Sequence, residues 1–397
     1  MLASRVSWFA FLCVMACSSD REPLGGITER DSAGIRIIES SVPAWHAGEA
    51  WTVAADPLVQ IGTAAGDETA QLFRVQDVAR LGDGRIVVVN SGTHELKVYS
   101  ANGQYSHAIG RRGGGPGEFD SPRMLWVLPA DSLVVMDFTR IAVFDSTGAF
   151  VRAALYGSWS PQDRFADGTF LRLVIPPGKD LFQPGYLRPQ YAVVRTAVDG
   201  SAADTLTYIA GDELFRQEVA GGVASHYAPF GAVRMAAVHG DSVYTGDGSA
   251  YEVWDLDQRG APVRIIRRAS ERTPVDATAI RSFEASILER TVTDAQRVSR
   301  NRLFREWTYP LFQPAYDRLL VDAEGNVWTR HFSIGDRQSE WTIFDPAGRW
   351  LGVLALPPGL NVKEIGSDYV LGVVVDDLDV EYVRLYALAK PSANDVK

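Results

Sequence analysis

Cysteine is nearly absent, with only two residues in a chain of 397. Cys13 lies inside the apolar run at residues 6–16 ("VSWFAFLCVMA"), and Cys17 follows that run directly. Arg5 is the only charged residue before position 20. This segment has the charge and length of an export signal and is too short to span a bilayer as a permanent helix. Its removal would leave Cys17 alone, which excludes an internal disulfide.

The sequence around Cys17 predicts a membrane anchor. Residues 14–17 ("VMAC") resemble a bacterial lipobox, in which the cysteine thiol receives a lipid, and Ser18, where Asp would signal inner-membrane retention, favours the outer membrane. We therefore expect a signal peptide at residues 1–16, a polar tether at 17–34 and an outer-membrane lipoprotein that faces the periplasm or the cell surface. The alternative is an ordinary secretory signal with a chance cysteine.

An excess of basic residues is also missing. The chain has 39 Lys and Arg against 49 Asp and Glu, a net charge of −10. Nucleic-acid binding depends on neutralising phosphates, so this balance argues against it. We expect the membrane to be contacted only through the N-terminal lipid and the protein to be a monomer. The 36 glycines and 20 prolines are spread along the chain, as in an all-β fold with many turns.

Catalytic signatures are absent as well. The sequence has no G-x-S-x-G, H-E-x-x-H, C-x-x-C or P-loop motif, and its six histidines have no metal-ligand spacing. The glycine-rich stretch at residues 110–119 ("GRRGGGPGEF") has no following GK[ST], and a strand-like run comes after it, so it predicts a connection and not a phosphate loop. The acidic run at residues 376–381 ("DDLDVE") lacks the glycine and distal glutamate of an EF-hand.

A repeat of about 45 residues organises the chain. The clearest unit contains strand-like runs at residues 85–90, 95–99 and 104–109, separated by turns. The same pattern returns at 133–152 and at 327–354. Each copy has an aromatic residue followed four positions later by glycine: Tyr99 and Gly103, Phe144 and Gly148, Phe344 and Gly348. We expect the aromatic to end a buried strand and the glycine to supply the positive φ of the next hairpin turn. Repeats of this length are typical of β-propellers.

Weaker copies occupy residues 165–209 and 230–267. Between the latter and the copy at 327–354, a helical insertion is predicted at about residues 273–308, with Thr273 as N-cap and Pro274 at the first helical position. The C-terminal unit supplies three strands, and Leu58–Ile61 is a strand without a unit, so we expect the two to pair and close a ring. This count gives six blades; seven is the alternative if residues 155–225 hold two.

The run at residues 73–119 resembles an NHL-type blade, with its "dG" turn, its "vvn" strand pair and its "G.GpGeF" connection. The match extends over residues 73–155, and the whole chain is similar to bacterial six-bladed β-propeller lipoproteins of the NHL and TolB-like kind. That resemblance implies an all-β, six-bladed β-propeller over residues 35–391 that acts as an extracytoplasmic binding or interaction module. Relatives on the same fold include lactonases and an amidating lyase.

Ligands of propellers usually lie at a channel mouth, so the turns after the second strand of each unit are candidates for a binding site. Their polar residues are Asn90, His94, Asp137, Arg140, Asp247, Arg330, His331, Asp376 and Asp377. This mixture would suit a polar small molecule, a glycan or a protein partner, although hairpin ends also collect Asp and Asn for turn chemistry alone. No cofactor is identified. The alternative function is a metal-dependent hydrolase or lyase, lactonase-like, with a divalent cation held over the channel by carboxylates and His94 or His331.

Overall fold

The structure is a computed structural model that describes residues 26–391, except residues 47, 139, 156–160, 179–182, 201–202, 220 and 336–338. Six antiparallel blades of four strands follow one another along the chain, each running from an inner to an outer strand. The strands of blades 1 to 3 are Val75–Arg80, Ile86–Asn90, Glu95–Tyr99 and Tyr105–Ile109; Pro122–Val127, Leu133–Asp137, Arg140–Phe144 and Phe150–Leu155; and Pro161–Arg164, Phe170–Val174, Gln190–Thr196 and Ala203–Ala210. The strands of blades 4 to 6 are Met235–His239, Ser242–Gly246, Glu252–Leu256 and Pro262–Arg268; Tyr316–Val321, Val327–His331, Ser339–Phe344 and Trp350–Leu356; and Asn361–Ile365, Tyr369–Val375, Glu381–Ala389 and Val59–Ile61.

Side-chain hydrogen bonds join each blade to the next around a closed ring. From blade 1 onward, the contacts are Asp77 with the Leu125 N–H, Arg164 with the Val127 carbonyl, Asp163 with the Val238 N–H, Tyr251 with Thr329, Arg318 with the Val362 carbonyl, and Glu364 with the Arg80 N–H. The last contact returns from blade 6 to blade 1. The six blades are therefore a ring, and not an open row.

The N-terminal strand completes blade 6. Val59–Ile61 pairs antiparallel with Val383–Leu385, so residues more than 320 positions apart in sequence share one sheet. Val59 and Ile61 are buried in a core cluster with residues of blades 1 and 6. The pairing expected for Leu58–Ile61 is thus present. The outer strand of this blade therefore comes from the N-terminal part of the chain, and its other three strands come from the C-terminal part.

A second N-terminal element extends blade 4. Ile27–Ser32 and Ile35–Ser40 form a hairpin, and Ile35–Ser40 runs parallel to the outer strand Pro262–Arg268. Ile37 and Ile38 are buried there. Residues 27–32, which the sequence assigns to the tether, are therefore a strand. This strand pairs with Ile35–Ser40, whose Ile37 and Ile38 are buried against blade 4.

The repeated glycines occupy the turns between third and outer strands. Gly103, Gly148 and Gly348 have φ of 83°, 84° and 90°, and the aromatic residues four positions before them are buried. A Cβ at Gly148 would lie 2.6 Å from Ile109 of the preceding blade. Two requirements therefore fix this glycine: the left-handed backbone and the close approach of the neighbouring blade.

The glycine-rich segment at residues 110–119 connects blade 1 to blade 2, as its sequence predicts. Phe119 at its end is fully buried in a core cluster formed by both blades, with its ring centroid 5.6 Å from that of Phe144. A Cβ at Gly110 would lie 2.4 Å from the Phe119 ring. The segment packs as a connection between sheets.

The described residues between 155 and 227 form one blade and a small separate sheet of Gly185–Leu187, Leu214–Val219 and Gly222–Tyr227. The alternative of two blades in this region, and so of a seven-bladed ring, is not what the structure has. The strand Gly185–Leu187 is only three residues long, and its sheet adds no inner strand to the ring.

The helical insertion consists of two helices, α1 (Ala277–Glu289) and α2 (Asp294–Glu306). The expected start at Thr273 is wrong. The N-cap of α1 is Asp276, whose carboxylate accepts the N–H groups of Thr278 and Ala279, while Pro274 pairs with Phe312 in an isolated β-bridge. Asp is as good an N-cap as Thr, and the bridge holds Pro274 extended, so the later cap is used.

Candidate functional site

The axis of the ring contains a cavity of about 590 Å³. All six inner strands line it, with residues 76–80, 123–127, 162–164, 236–239, 318–322 and 363–365. In five of these strands one residue near the start is skipped in the pairing with the second strand, which is the register shift of a β-bulge. The skipped residues are Gln76, Arg123, Gln162, Asp317 and Lys363. Bulges re-aim side chains, and four of these five polar residues, Gln76, Arg123, Gln162 and Lys363, line the cavity.

Carboxylates follow the bulge in three blades and connect neighbouring inner strands. Asp77, Asp163 and Glu364 each accept a backbone N–H from the next blade, at 3.0, 2.6 and 2.9 Å. Inner strands have an unpaired edge along the channel, and these carboxylates satisfy part of it. Burial raises the pKa of all three, that of Asp163 to about 6.

Two cationic residues of the cavity lining, Arg318 and Lys363, lie on the inner strands of blades 5 and 6. Arg318 donates to the Asn361 side chain at 2.9 Å and to the Val362 carbonyl, and Lys363 Nζ lies 2.5 Å from the Gln76 carbonyl. Burial, and then the nearby Arg330, lowers the pKa of Arg318 to about 10. Burial and the charge of Arg318 also lower the pKa of Lys363, against the attraction of Asp77. Both cations donate to neutral oxygens, while the nearby Asp77 carboxylate acts to raise the pKa of both. An anionic group is a ligand that such a pair can bind.

The candidate residues of blades 1 and 2 hold the connections between blades. Asn90 is fully buried and accepts the Phe73 N–H at 2.7 Å, while His94 Nδ1 lies 2.6 Å from the Asp120 carbonyl. Asp137 is 1% exposed and accepts the N–H groups that precede the inner strand of blade 2. Arg140 binds Asp137 at 2.9 Å and donates to carbonyls of the glycine-rich segment. Of these four candidate residues, Asp137 and Arg140 are the two that contact each other.

The other candidates are likewise engaged with neighbours. Asp247 accepts from Ser249 and pairs with Arg188. Arg330 forms a two-pronged ion pair with Asp317 at 2.7 and 3.1 Å. Asp376 accepts the N–H groups of Leu378 and Val380 and thereby closes the hairpin turn that also contains Asp377. None of the candidate residues from Asn90 to Asp377 lines the central cavity.

His331 belongs to a polar cluster between blades 4 and 5. Its Nε2 lies 3.1 Å from Arg268 Nη1 and 2.7 Å from the Thr342 hydroxyl, and its Nδ1 lies 3.4 Å from Glu340. Because arginine only donates, Nε2 accepts and the ring proton is on Nδ1, facing Glu340. Burial and the charge of Arg268 lower the pKa of His331, so the ring is neutral at pH 7. Arg268 also stacks over Tyr251 and Trp350.

The donor set does not fit a divalent cation at the positions that the sequence suggests. Within the described part of the chain, no three His, Cys, Asp or Glu side chains are close enough together to hold a metal. Asp137 is already engaged by two N–H groups and a guanidinium. Cys17 and the signal segment lie outside the described residues. Neither of the described helices is long and apolar enough to cross a membrane.

The channel residues Asp77, Asp163, Arg318, Lys363 and Glu364 are not among the candidates that the sequence offers. One signal is present in it: "QD" recurs at Gln76-Asp77 and Gln162-Asp163, directly after the start of an inner strand. The other blades have different residues in place of Gln-Asp. The equivalent positions can therefore be recognised only in the structure, where the bulges align the inner strands.

Asp163 should contribute a loss of folding stability as pH rises from 5 to 7.5. Its folded pKa of about 6 lies above the ordinary value of 3.8, so folding costs more once the buried carboxyl must ionise. The expected contribution is about 1 kcal/mol over this range. His226 and His331 have lowered pKa values and act in the opposite direction. The measurement is therefore a comparison: urea unfolding of wild type and Asp163→Asn at both pH values, where the variant should lack this component. An identical pH dependence for the two proteins would contradict it.

The ring of six four-stranded blades around a polar channel defines a six-bladed β-propeller. Residues 68–155 match the family model DUF5128, described as "6-bladed beta-propeller". No curated protein matches the sequence. Among solved structures, a Bacteroides fragilis protein thought to be exported is 14% identical, with 90% of this chain and 100% of that chain covered and a TM-score of 0.52. A DUF4221 family member from Bacteroides vulgatus is 8% identical, with coverages of 86% and 99% and a TM-score of 0.50.

A gluconolactonase from Xanthomonas campestris is 14% identical, with coverages of 81% and 87%, but its TM-score of 0.38 is too low to bear on function. At these identities the first two likenesses concern the fold alone.

Proposed function

We propose that the chain is an extracytoplasmic β-propeller binding protein, anchored through lipidated Cys17, that holds an anionic small molecule or an acidic glycan in its central channel. The observation that carries this proposal is the cation pair Arg318 and Lys363. Both residues line the cavity, both have lowered pKa values, and the hydrogen bonds that they donate go to neutral oxygens. A bound anion would offset the repulsion between the two positive charges.

The cavity has the size and lining that such a ligand needs. Its volume of about 590 Å³ falls in the range of ligand pockets, roughly 300–1,000 Å³. Arg80 is a third cationic residue of the cavity lining, and its guanidinium lies 4.6 Å from the Tyr369 ring centroid and 3.8 Å from the Asp368 carboxylate. Gln76 and Gln162, both exposed at the bulges, offer amides for the hydroxyl groups of a sugar.

Titration calorimetry with trigalacturonate, and with uncharged galactotriose as its control, tests the proposal. We expect the acidic trisaccharide to bind and the neutral one to bind at least about tenfold more weakly, as loss of a charge-assisted contact predicts. Lys363→Gln should weaken the acidic ligand by about tenfold. Arg152→Gln, which removes one charge from an exposed position on an outer strand, should leave the affinity unchanged.

Equal binding of both trisaccharides, or an affinity that Lys363→Gln leaves intact, would contradict the proposal. Parallel titrations in chelator and in calcium address the alternative from the sequence, a metal-dependent hydrolase or lyase. Binding that requires calcium, with turnover of the sugar, would favour that alternative.

A further inference from the structure

A second cavity, of about 570 Å³, lies between the helical insertion and the hairpin of the small sheet. We call it the insert pocket. Helix residues Phe283, Ile287 and Arg300 form one side and residues 225–228 of the hairpin strand form the other, with Trp307 and Phe332 also contributing. It shares no lining residue with the central channel. A ligand in the insert pocket would therefore occupy a site separate from the channel of the proposed function.

Aromatic rings form the wall of the insert pocket. Phe230 is 5% exposed, and its ring centroid lies 4.7 Å from that of Phe283 and 5.8 Å from that of Phe332. Trp307 continues the cluster, 6.1 Å from Phe283. Phe230 has a φ of 53°, a left-handed conformation that is strained for a bulky residue and that clusters at ligand sites. This surface would contact an apolar ligand body.

Two buried polar atoms of the pocket lining have no hydrogen-bond partner among the described residues: His226 Nε2 and Trp307 Nε1. A buried polar group left unpaired destabilises the protein, so a ligand that satisfies it gains binding free energy. Burial and the charge of Arg300 lower the pKa of His226, so its ring is neutral at pH 7. The indole N–H only donates, so it requires a hydrogen-bond acceptor on the ligand.

The charge at the pocket favours an anion. Arg290 and Arg300 line it, and no Asp or Glu of the described chain does. Glu306, the acidic group that acts on His226, is held by Gln217 at 3.0 Å and by Arg302 at 3.1 Å. A carboxylate or sulfonate would accept from Trp307 and pair with Arg300, which lies close enough to His226 to affect its pKa.

We propose that the insert pocket binds an amphiphilic organic anion of small-molecule size, with its apolar body against Phe230 and Phe283 and its anionic group toward Arg300 and Trp307. The probe is 1-anilinonaphthalene-8-sulfonate, whose fluorescence rises in an apolar site, and its uncharged analogue N-phenyl-1-naphthylamine is the ligand control. We expect one sulfonate per chain, bound at least about tenfold more tightly than the analogue because of the charge-assisted contacts.

Two variants and one control locate the site. Arg300→Gln should weaken sulfonate binding by about tenfold, and Phe283→Ala should weaken both probes. Arg297→Gln, on the same helix but exposed and outside the pocket lining, should have no effect. Equal affinity for the two probes, or sulfonate binding unchanged in both Arg300→Gln and Phe283→Ala, would overturn the proposal. Circular dichroism of each variant confirms that the helices are retained. Displacement by decanoate or by 1-naphthoate then distinguishes an acyl from an aromatic ligand body.

Discussion

Replacing Phe119 by alanine should lower the free energy of unfolding by about 3–5 kcal/mol, the usual cost of truncating a fully buried aromatic residue. The ring is fully buried in the cluster that joins blade 1 to blade 2 and contacts Phe144 and the backbone at Gly110. The segment before it is rich in glycine, so no other large apolar side chain there can fill the space. Urea unfolding followed by tryptophan fluorescence measures the loss.

Phe73→Ala is the matched control. Phe73 is 56% exposed and precedes the inner strand of blade 1, so its truncation should cost less than about 1 kcal/mol. A comparable loss in both variants would mean that aromatic area in general, and not the interblade position of Phe119, determines stability. A small loss in Phe119→Ala would mean that the two blades can close over the cavity.

The blades could be predicted because their signals are local. Tyr99 with Gly103 and Phe344 with Gly348 report a buried strand end and a positive-φ turn within five residues, and both are found as expected. The closing strand could also be predicted, because a lone strand at one end of the chain and an incomplete blade at the other leave two unpaired edges. Residue pattern therefore determines most of this fold.

The channel could not be predicted in the same way, because its chemistry joins residues from different blades. Asp77 satisfies an N–H of Leu125, and Glu364 one of Arg80 across the ring closure. No spacing in the sequence indicates which edge a carboxylate will reach, and a one-residue bulge changes which side chains face the axis. Asp163 likewise follows a bulge, at Gln162, and accepts the N–H of Val238 in the next blade.

The polar residues of the turns present the opposite problem: the sequence suggests them as ligand contacts, and the structure shows them in contacts with the backbone. Asn90, Asp137 and Asp376 are candidates from the sequence because polar groups at a propeller mouth suit a ligand. In the structure they accept backbone N–H groups of blade connections or of their own turn. A carboxylate that binds a ligand and one that caps a connection have the same sequence signature. The difference lies in which neighbour has an N–H to satisfy.

Replacing Arg140 by methionine should cost about 3–5 kcal/mol of folding stability, because it leaves the buried Asp137 carboxylate without its cation. The guanidinium is 2.9 Å from Asp137, 2.8 Å from the Gly114 carbonyl and 3.2 Å from the Gly113 carbonyl. Methionine keeps much of the side-chain volume, so the loss measures the polar contacts. Urea unfolding at pH 7 gives the value.

Arg111→Met is the control from the same segment. Its side chain is 82% exposed and pairs with Glu118, so we expect a loss of no more than about 1 kcal/mol. A stable Arg140→Met protein that had lost affinity for trigalacturonate would contradict the structural role and return Arg140 to the ligand site. A destabilised protein that still binds the sugar would assign Arg140 and Asp137 to the connection between blades and leave the ligand contacts with Arg318 and Lys363.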